Sequence, residues 1–243
     1  MLPKILFLVT VFLTNIIQCI TGFAGTVLAM PFSIRLIGLD DARSILNLMG
    51  LLASVYVVIV CRKSIDIKEF GKLAGPMFIG LAAGIYLKKY FSGNPSLLYM
   101  ILGITVIAFA VMNAVKFYAK KEEKALPSPV AIPLTVISGI VHGMFVCGGP
   151  LLVTCASGKF RDKDAFRGTL SLIWILLNGI IFATDIHGGC FTLPTVKLAA
   201  VSAVVLAAAL VIGNLICKKM SRSFFLQLTY ALMLISGISL LIK

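Results

Sequence analysis

Gly22-Phe23-Ala24-Gly25-Thr26 interrupts an apolar stretch that runs from residue 5 to residue 38, long enough to enter a membrane. Cys147-Gly148-Gly149-Pro150 does the same in the second half of the chain. A glycine or proline at membrane depth releases backbone N–H and C=O groups, which are tolerated only where protein or a cavity satisfies them. Two such interruptions at matching positions of two halves point to the binding site of a transporter.

The 243 residues are 60% hydrophobic and 13% charged, with a mean hydropathy of +1.06. Soluble domains average about 25% charged residues, so the chain is an integral membrane protein. Its apolar runs lack the period-two alternation of a β-barrel, which makes the expected fold all-α. A net charge of +13 invites nucleic acid as a partner, but the 22 Lys and Arg fall almost wholly in loops between apolar runs. There they set topology and meet anionic lipid. The expected surroundings are therefore a lipid bilayer, with no nucleic acid. The first 30 residues show no cleavable signal pattern. Cys19, Cys61, Cys147, Cys155, Cys190 and Cys217 lack paired spacing and read as buried free thiols.

Ten apolar segments run approximately over 5–21, 25–38, 44–61, 70–90, 96–118, 129–145, 149–158, 166–184, 194–217 and 223–242. The charged stretch from Lys116 to Pro129 divides them, giving a first membrane repeat 1–119, a basic cytoplasmic linker 120–128 and a second repeat 129–243. At a fixed offset of 124 positions Gly25 meets Gly149, Ser33 meets Ser157, Asp40 meets Asp164 and Arg43 meets Arg167. Polar coincidences at one offset, in so apolar a chain, indicate internal duplication.

Basic residues choose the topology. If each broken segment crosses the membrane once, the 22 divide equally between the two faces. If each is a hairpin that returns to its own side, one face holds 15 and the other 7. Cytoplasmic loops concentrate Lys and Arg, which favours hairpins. Each repeat then holds a re-entrant, glycine-broken hairpin plus three transmembrane helices, an odd number of crossings. The two repeats are accordingly inverted, both termini face outward, and up to four of the ten helical pieces are half-length.

The second arm of such a hairpin starts at mid-membrane with unpaired N–H groups and a partial positive charge. Gly22, Gly25, Gly148 and Gly149 let a ligand approach the backbone or simply permit a tight turn; Thr26 adds a hydroxyl. Together they suit an anion without placing a full charge in lipid. At the same offset Gln18 meets His142 and Asn47 meets Ser171. Each alone is equally an interhelical hydrogen bond worth about 1 kcal/mol; as a set near the breaks they are expected to face the substrate. His142, the histidine within an apolar stretch, is the candidate proton-linked group.

Arg43 and Arg167 begin the spans after the hairpins, three residues beyond Asp40 and Asp164. They read either as partners of those aspartates or as anion-attracting gates, one at each mouth. Asp185 and His187, in a Gly-rich loop, read as solvated. The spacings Gly71/Gly75, Gly80/Gly84 and Ala209/Gly213 mark close helix contacts. No nucleophile–base pair, HExxH, Walker loop or CxxC is present, so no enzyme activity, metal or cofactor is expected.

The stretch Gly22-Phe23-Ala24-Gly25-Thr26-Val27-Leu28-Ala29-Met30-Pro31, echoed by Cys147-Gly148-Gly149-Pro150-Leu151-Leu152-Val153, resembles the TauE/SafE family of anion exporters. Its members carry a glycine-rich turn followed by apolar residues and a proline, once per repeat. Here the usual three-glycine run is replaced by Ala24-Gly25-Thr26 and Gly148-Gly149-Pro150, and Cys155 stands at the counterpart of Pro31. The resemblance implies a secondary transporter of a small organic or sulfur-containing anion, such as sulfite, sulfoacetate or another sulfonate, multi-pass in a cell membrane of the prokaryotic inner-membrane kind. Alternating access between the repeats is the expected mechanism. A passive anion channel and a membrane-embedded accessory subunit are the alternatives. The expected partners are a small-molecule anion, the bilayer and, at most, a second copy in a homodimer.

Overall fold

A computed structural model of the chain describes residues 2–91, 126–156, 158–160 and 162–241, with scattered positions from 100 to 118. The described residues are helical or connecting, with no strand among them. Nine helices are bounded there: α1 (Leu2–Thr21), α2 (Ala24–Ile37), α3 (Leu39–Cys61), α4 (Ile67–Phe91), α5 (Ser128–Phe145), α6 (Gly149–Ala156), α7 (Lys163–His187), α8 (Leu193–Lys219) and α9 (Arg222–Leu241). The described positions between 100 and 118 are helical too. Most of the expected linker, residues 120–125, lies outside the described residues.

Local chemistry explains the helix ends. Asp66 accepts hydrogen bonds from the Lys68 and Glu69 N–H groups at 3.0 Å and caps α4. Thr192 caps α8 through the Thr195 N–H, and Pro194 sits in the first turn, where its missing donor costs nothing. Asp40 and Asp41 occupy the first turn of α3, and Lys218 and Lys219 the last turn of α8, both favourable to the helix dipole.

Helices α1, α3, α4, α5, α7 and α8 are long and apolar enough to cross a membrane. The chain is thus an all-α, multi-pass membrane protein. One expectation is corrected: the first arm of each broken segment is not half-length. Helix α1 has 20 residues and α5 has 18, and at about 1.5 Å per residue each approaches the full hydrocarbon thickness. Only the second arms are short, 14 residues in α2 and 8 in α6.

The chain forms two compact units, Met1–Ile65 with Arg167–Met220, and Asp66–Phe166 with Ser221–Lys243. Each draws on both halves of the sequence. In the first unit α1 packs along α8 and turns back onto α2, and α3 lies against α1, α2 and α8. Gly213 of α8 approaches α1 so closely that a Cβ there would stand 2.8 Å from Cys19 Cβ and from the Ile16 carbonyl. Ala209, one turn earlier, is fully buried.

In the second unit α4 packs along α5. Gly80 and Gly84 face Val136 and Ile140, while Gly139 and Gly143 face Met77, Leu81 and Gly84, and a side chain at any of the four would overlap the opposing backbone. Small residues permit this approach between apolar helices. Gly71 and Gly75 instead face open space among the described residues, where their spacing marks no contact. Helix α6 folds back antiparallel on α5: Ser138 Oγ donates to the Gly148 carbonyl at 2.7 Å, and Cys155 Sγ meets the Ala131 carbonyl at 3.7 Å.

Candidate functional site

In the first unit the chain leaves α1 through Gly22, whose φ of +82° only glycine adopts freely. The break is then stitched to α7. Trp174 Nε1 donates to the Gly22 carbonyl at 2.8 Å, and the backbone of Arg167 lies where a Gly22 Cβ would stand 3.2 Å from it. An indole N–H in an apolar span needs such an acceptor.

The first N–H groups of α2 are not open, as the sequence suggested. Gln18 Oε1 accepts from the Gly25 N–H at 2.8 Å, and Thr21 Oγ1 accepts from Ala24 and Phe23 at 3.3 and 3.4 Å. The helix start is thus occupied by neutral oxygens of its own chain. A Cβ on Gly25 would lie 2.6 Å from Gln18 Cβ, so glycine is what lets Gln18 reach across.

Along α7, Arg167, Ser171, Trp174 and Asn178 recur at steps of four, three and four residues and share one helix face. Gly22 touches two of them. Arg167 is the largest fully buried side chain among the described residues. Its guanidinium donates to Cys217 Sγ at 3.0 Å and lies 3.7 Å from Cys19 Sγ. Ser171 is 1% exposed, and its hydroxyl has no hydrogen-bond partner among the described residues. That departs from the rule in this chain. Thr14, Ser54, Thr135 and Thr154 all return their hydroxyls to the carbonyl four residues back.

Asn47, fully buried on α3, donates through Nδ2 to the Asn178 carbonyl at 3.1 Å, leaving its Oδ1 without a partner among the described residues. Thr26 Oγ1 and Asn178 Nδ2 both border Gly50, at 3.4 and 3.2 Å from the position of a Cβ there. Thr26, Asn47 and Asn178 therefore gather at one level of the unit.

Arg43 does not pair with Asp40. Its guanidinium meets the Asp185 carboxylate at 2.6 Å, and Ser44 Oγ adds a bond of 3.3 Å to the same group. Asp185 is 4% exposed, in the last turn of α7, so its reading as a solvated loop residue is also corrected. The buried arginine and aspartate satisfy each other, as buried charges require.

His142, Gly148 and Gly149 belong to the second unit. His142 is buried in the last turn of α5, and its carbonyl accepts from the Val146 N–H at 2.7 Å. Val146 occupies the place that Gly22 holds 124 positions earlier, and it too has a left-handed φ, 58°. A Cβ on Gly148 would come 2.8 Å from His142 Cβ.

None of the six cysteines is in a disulfide; five are buried and Cys190 is partly exposed. No cluster able to hold a metal ion occurs among the described residues.

The fold defines a multi-pass helical membrane protein. The family model of the sulfite exporter TauE/SafE matches residues 6–240, and the chain belongs to that family. No curated protein and no solved structure matches it.

Of the missed residues, Trp174 was the most readable: it is the chain's single tryptophan and lies inside an apolar span three residues from Ser171. Asn178 shares its face at the next step. Asp185 gave no signal, since its partner Arg43 is 142 positions away.

Proposed function

We propose that this protein exports a small sulfur-containing anion, sulfite, sulfoacetate or another sulfonate, by alternating access between two inverted repeats. The observation that carries the reading is the polar floor of the first break. Gly22 packs on the backbone of Arg167, the same face of α7 carries the buried Arg167 guanidinium and the Ser171 hydroxyl, which has no partner among the described residues, and Gln18 caps α2 beside the break. The substrate-facing set is Gln18, Gly22, Gly25, Thr26, Asn47 and Ser171 at the first break, and His142, Gly148 and Gly149 at the second. An arriving oxyanion takes the α2 N–H groups from Gln18 and Thr21. Charge-assisted hydrogen bonds are roughly twice as strong as neutral ones, so the exchange is favourable. Arg167 supplies the compensating positive charge. Arg43 acts as a gate only when it exchanges Asp185 for the anion.

The repeat reading is supported by element boundaries. Helices α1 and α5 end at Thr21 and Phe145, and α3 and α7 begin at Leu39 and Lys163, each pair 124 positions apart. The packing is reciprocal as well: α1 of the first half packs on α8 of the second, and α5 of the second packs on α4 of the first.

The test is a thermal-shift screen of purified protein against sulfite, sulfoacetate, taurine, thiosulfate, sulfate and simple carboxylates. A ligand at a hundredfold excess over Kd stabilises the folded state by about 2.7 kcal/mol. The expected result is a shift confined to one or two sulfur oxyanions and lost in Gln18→Ala or His142→Ala. No shift with any anion overturns the reading. Counterflow in proteoliposomes then separates a transporter from a passive channel, which shows none.

A further inference from the structure

Away from the breaks, a groove of about 390 Å³ opens between the first turns of α1 and α8. Its walls are Leu8, Leu193, Leu198 and Val201, with Pro194 at one end, and Lys4 and Lys197 stand beside it. Both lysines are exposed, and neither has a hydrogen bond or ion pair among the described residues. Leu193 is 68% exposed and Val201 50%, so the wall is apolar surface that protein leaves uncovered.

We propose that this groove binds one anionic phospholipid, its phosphate between the ammonium groups of Lys4 and Lys197 and one acyl chain along Leu8, Leu198 and Val201. The order of chemistry along the groove is what selects this occupant. Residues 4 and 197 lie within the first five residues of two helices that are each long enough to span the bilayer, where headgroups sit. Leu8 and Val201 lie one turn further in, at acyl depth. A free anion would satisfy the lysines and leave the apolar wall bare; a zwitterionic lipid would cover the wall and leave two positive charges against its own choline. Basic pockets between membrane helices are a known mode of anionic-headgroup recognition. The positive end of the α8 dipole adds to the attraction.

The lipid bridges helices from opposite halves of the chain, α1 and α8, and therefore clamps the longest-range seam of the first unit. Its binding is independent of the cargo read for the breaks, so the two readings fail separately.

The test uses full-length protein in nanodiscs of phosphatidylcholine doped with phosphatidylglycerol, with retained lipid counted by native mass spectrometry after extraction into detergent. Wild type is expected to retain phosphatidylglycerol in preference to phosphatidylcholine. Each basic residue at an anionic surface contributes about 1 kcal/mol, so Lys4→Ala or Lys197→Ala lowers retention about fivefold and the double variant about thirtyfold. Lys218→Ala/Lys219→Ala, at the other end of α8, leaves retention unchanged. Leu198→Trp, which fills the groove and keeps both lysines, lowers it as well. Equal retention of the two lipids, or full retention by the double variant, overturns the proposal. So does displacement by inorganic phosphate at matched concentration, which would make the lysines a simple anion site.

Discussion

Gly22 carries two constraints at once, a left-handed backbone and an arginine backbone packed against its missing side chain. Left-handed geometry costs an L-residue about 1–2 kcal/mol. Gly22→Ala is therefore expected to lower the unfolding free energy in detergent by at least that amount, measured by thermal or denaturant unfolding. A neutral result would mean that the break relaxes away from Arg167. The Arg43–Asp185 pair, with side chains 5% and 6% exposed, makes a second case. Leaving one buried charge without its partner costs about 3–5 kcal/mol. Asp185→Ala is expected to fall in that range, and Arg43→Met/Asp185→Leu to recover most of the loss. If the single variant is as stable as wild type, the pair is solvated and the guanidinium is already free to gate. At this scale the glycines and polar residues of the breaks were legible, because an apolar context makes each one conspicuous. Their partners were not. Gln18 was readable as polar at depth, but only the fold shows that its carbonyl is spent on Gly25, seven residues on.

Helix–helix seams make sharper predictions than single bonds. Gly84→Ala places a methyl into the Ile140 backbone across the α4–α5 seam, and it is expected to disrupt the second unit, seen as loss of a monodisperse peak after extraction. Gly75→Ala, on the same helix but facing open space, is expected to be neutral or to stabilise by up to about 1 kcal/mol through helix propensity. Equal behaviour of the two variants would refute the seam. Sequence spacing alone ranked Gly71/Gly75 and Gly80/Gly84 together, because four-residue spacing reports that a helix has a small face and not whether anything lies against it. Helix boundaries were far more legible. Gly22, Gly38 and the Gly188-Gly189 pair punctuate the chain where connections fall. The exception is Val146, where a β-branched residue takes the left-handed turn and hides the end of α5 from propensity reasoning.

The whole molecule interleaves its halves. Because α1 packs on α8 and α4 on α5, residues 1–119 expressed alone lack the partner of α1, and residues 129–243 lack the partner of α5. Neither fragment is expected to yield a stable protein by size-exclusion chromatography, whereas co-expression of the two is expected to restore one. A stable lone fragment would contradict the reciprocal packing. Topology has its own check: impermeant maleimide applied from outside should modify single cysteines placed in 35–43 and not those in 159–167. Membrane class and family were legible from composition and from the two breaks. The exchange of helices was not, since hydropathy describes each segment separately and says nothing about its neighbour.

That exchange has a consequence for synthesis. Cys19 Sγ bonds the Leu210 carbonyl, 191 positions later. At about 5–20 residues per second on the ribosome, α1 waits roughly 10–40 s for the surface it will occupy. Through that interval its polar groups face lipid or the insertion machinery. Thr10, Thr14 and Asn15 are already quiet, each bonded to a carbonyl one turn back within α1. Gln18 falls silent as soon as Gly25 emerges, long before α8 exists. The nascent helix thus carries its own temporary insulation, and its late contact with α8 is left to glycine, apolar side chains and the weakly polar thiols of Cys19 and Cys217.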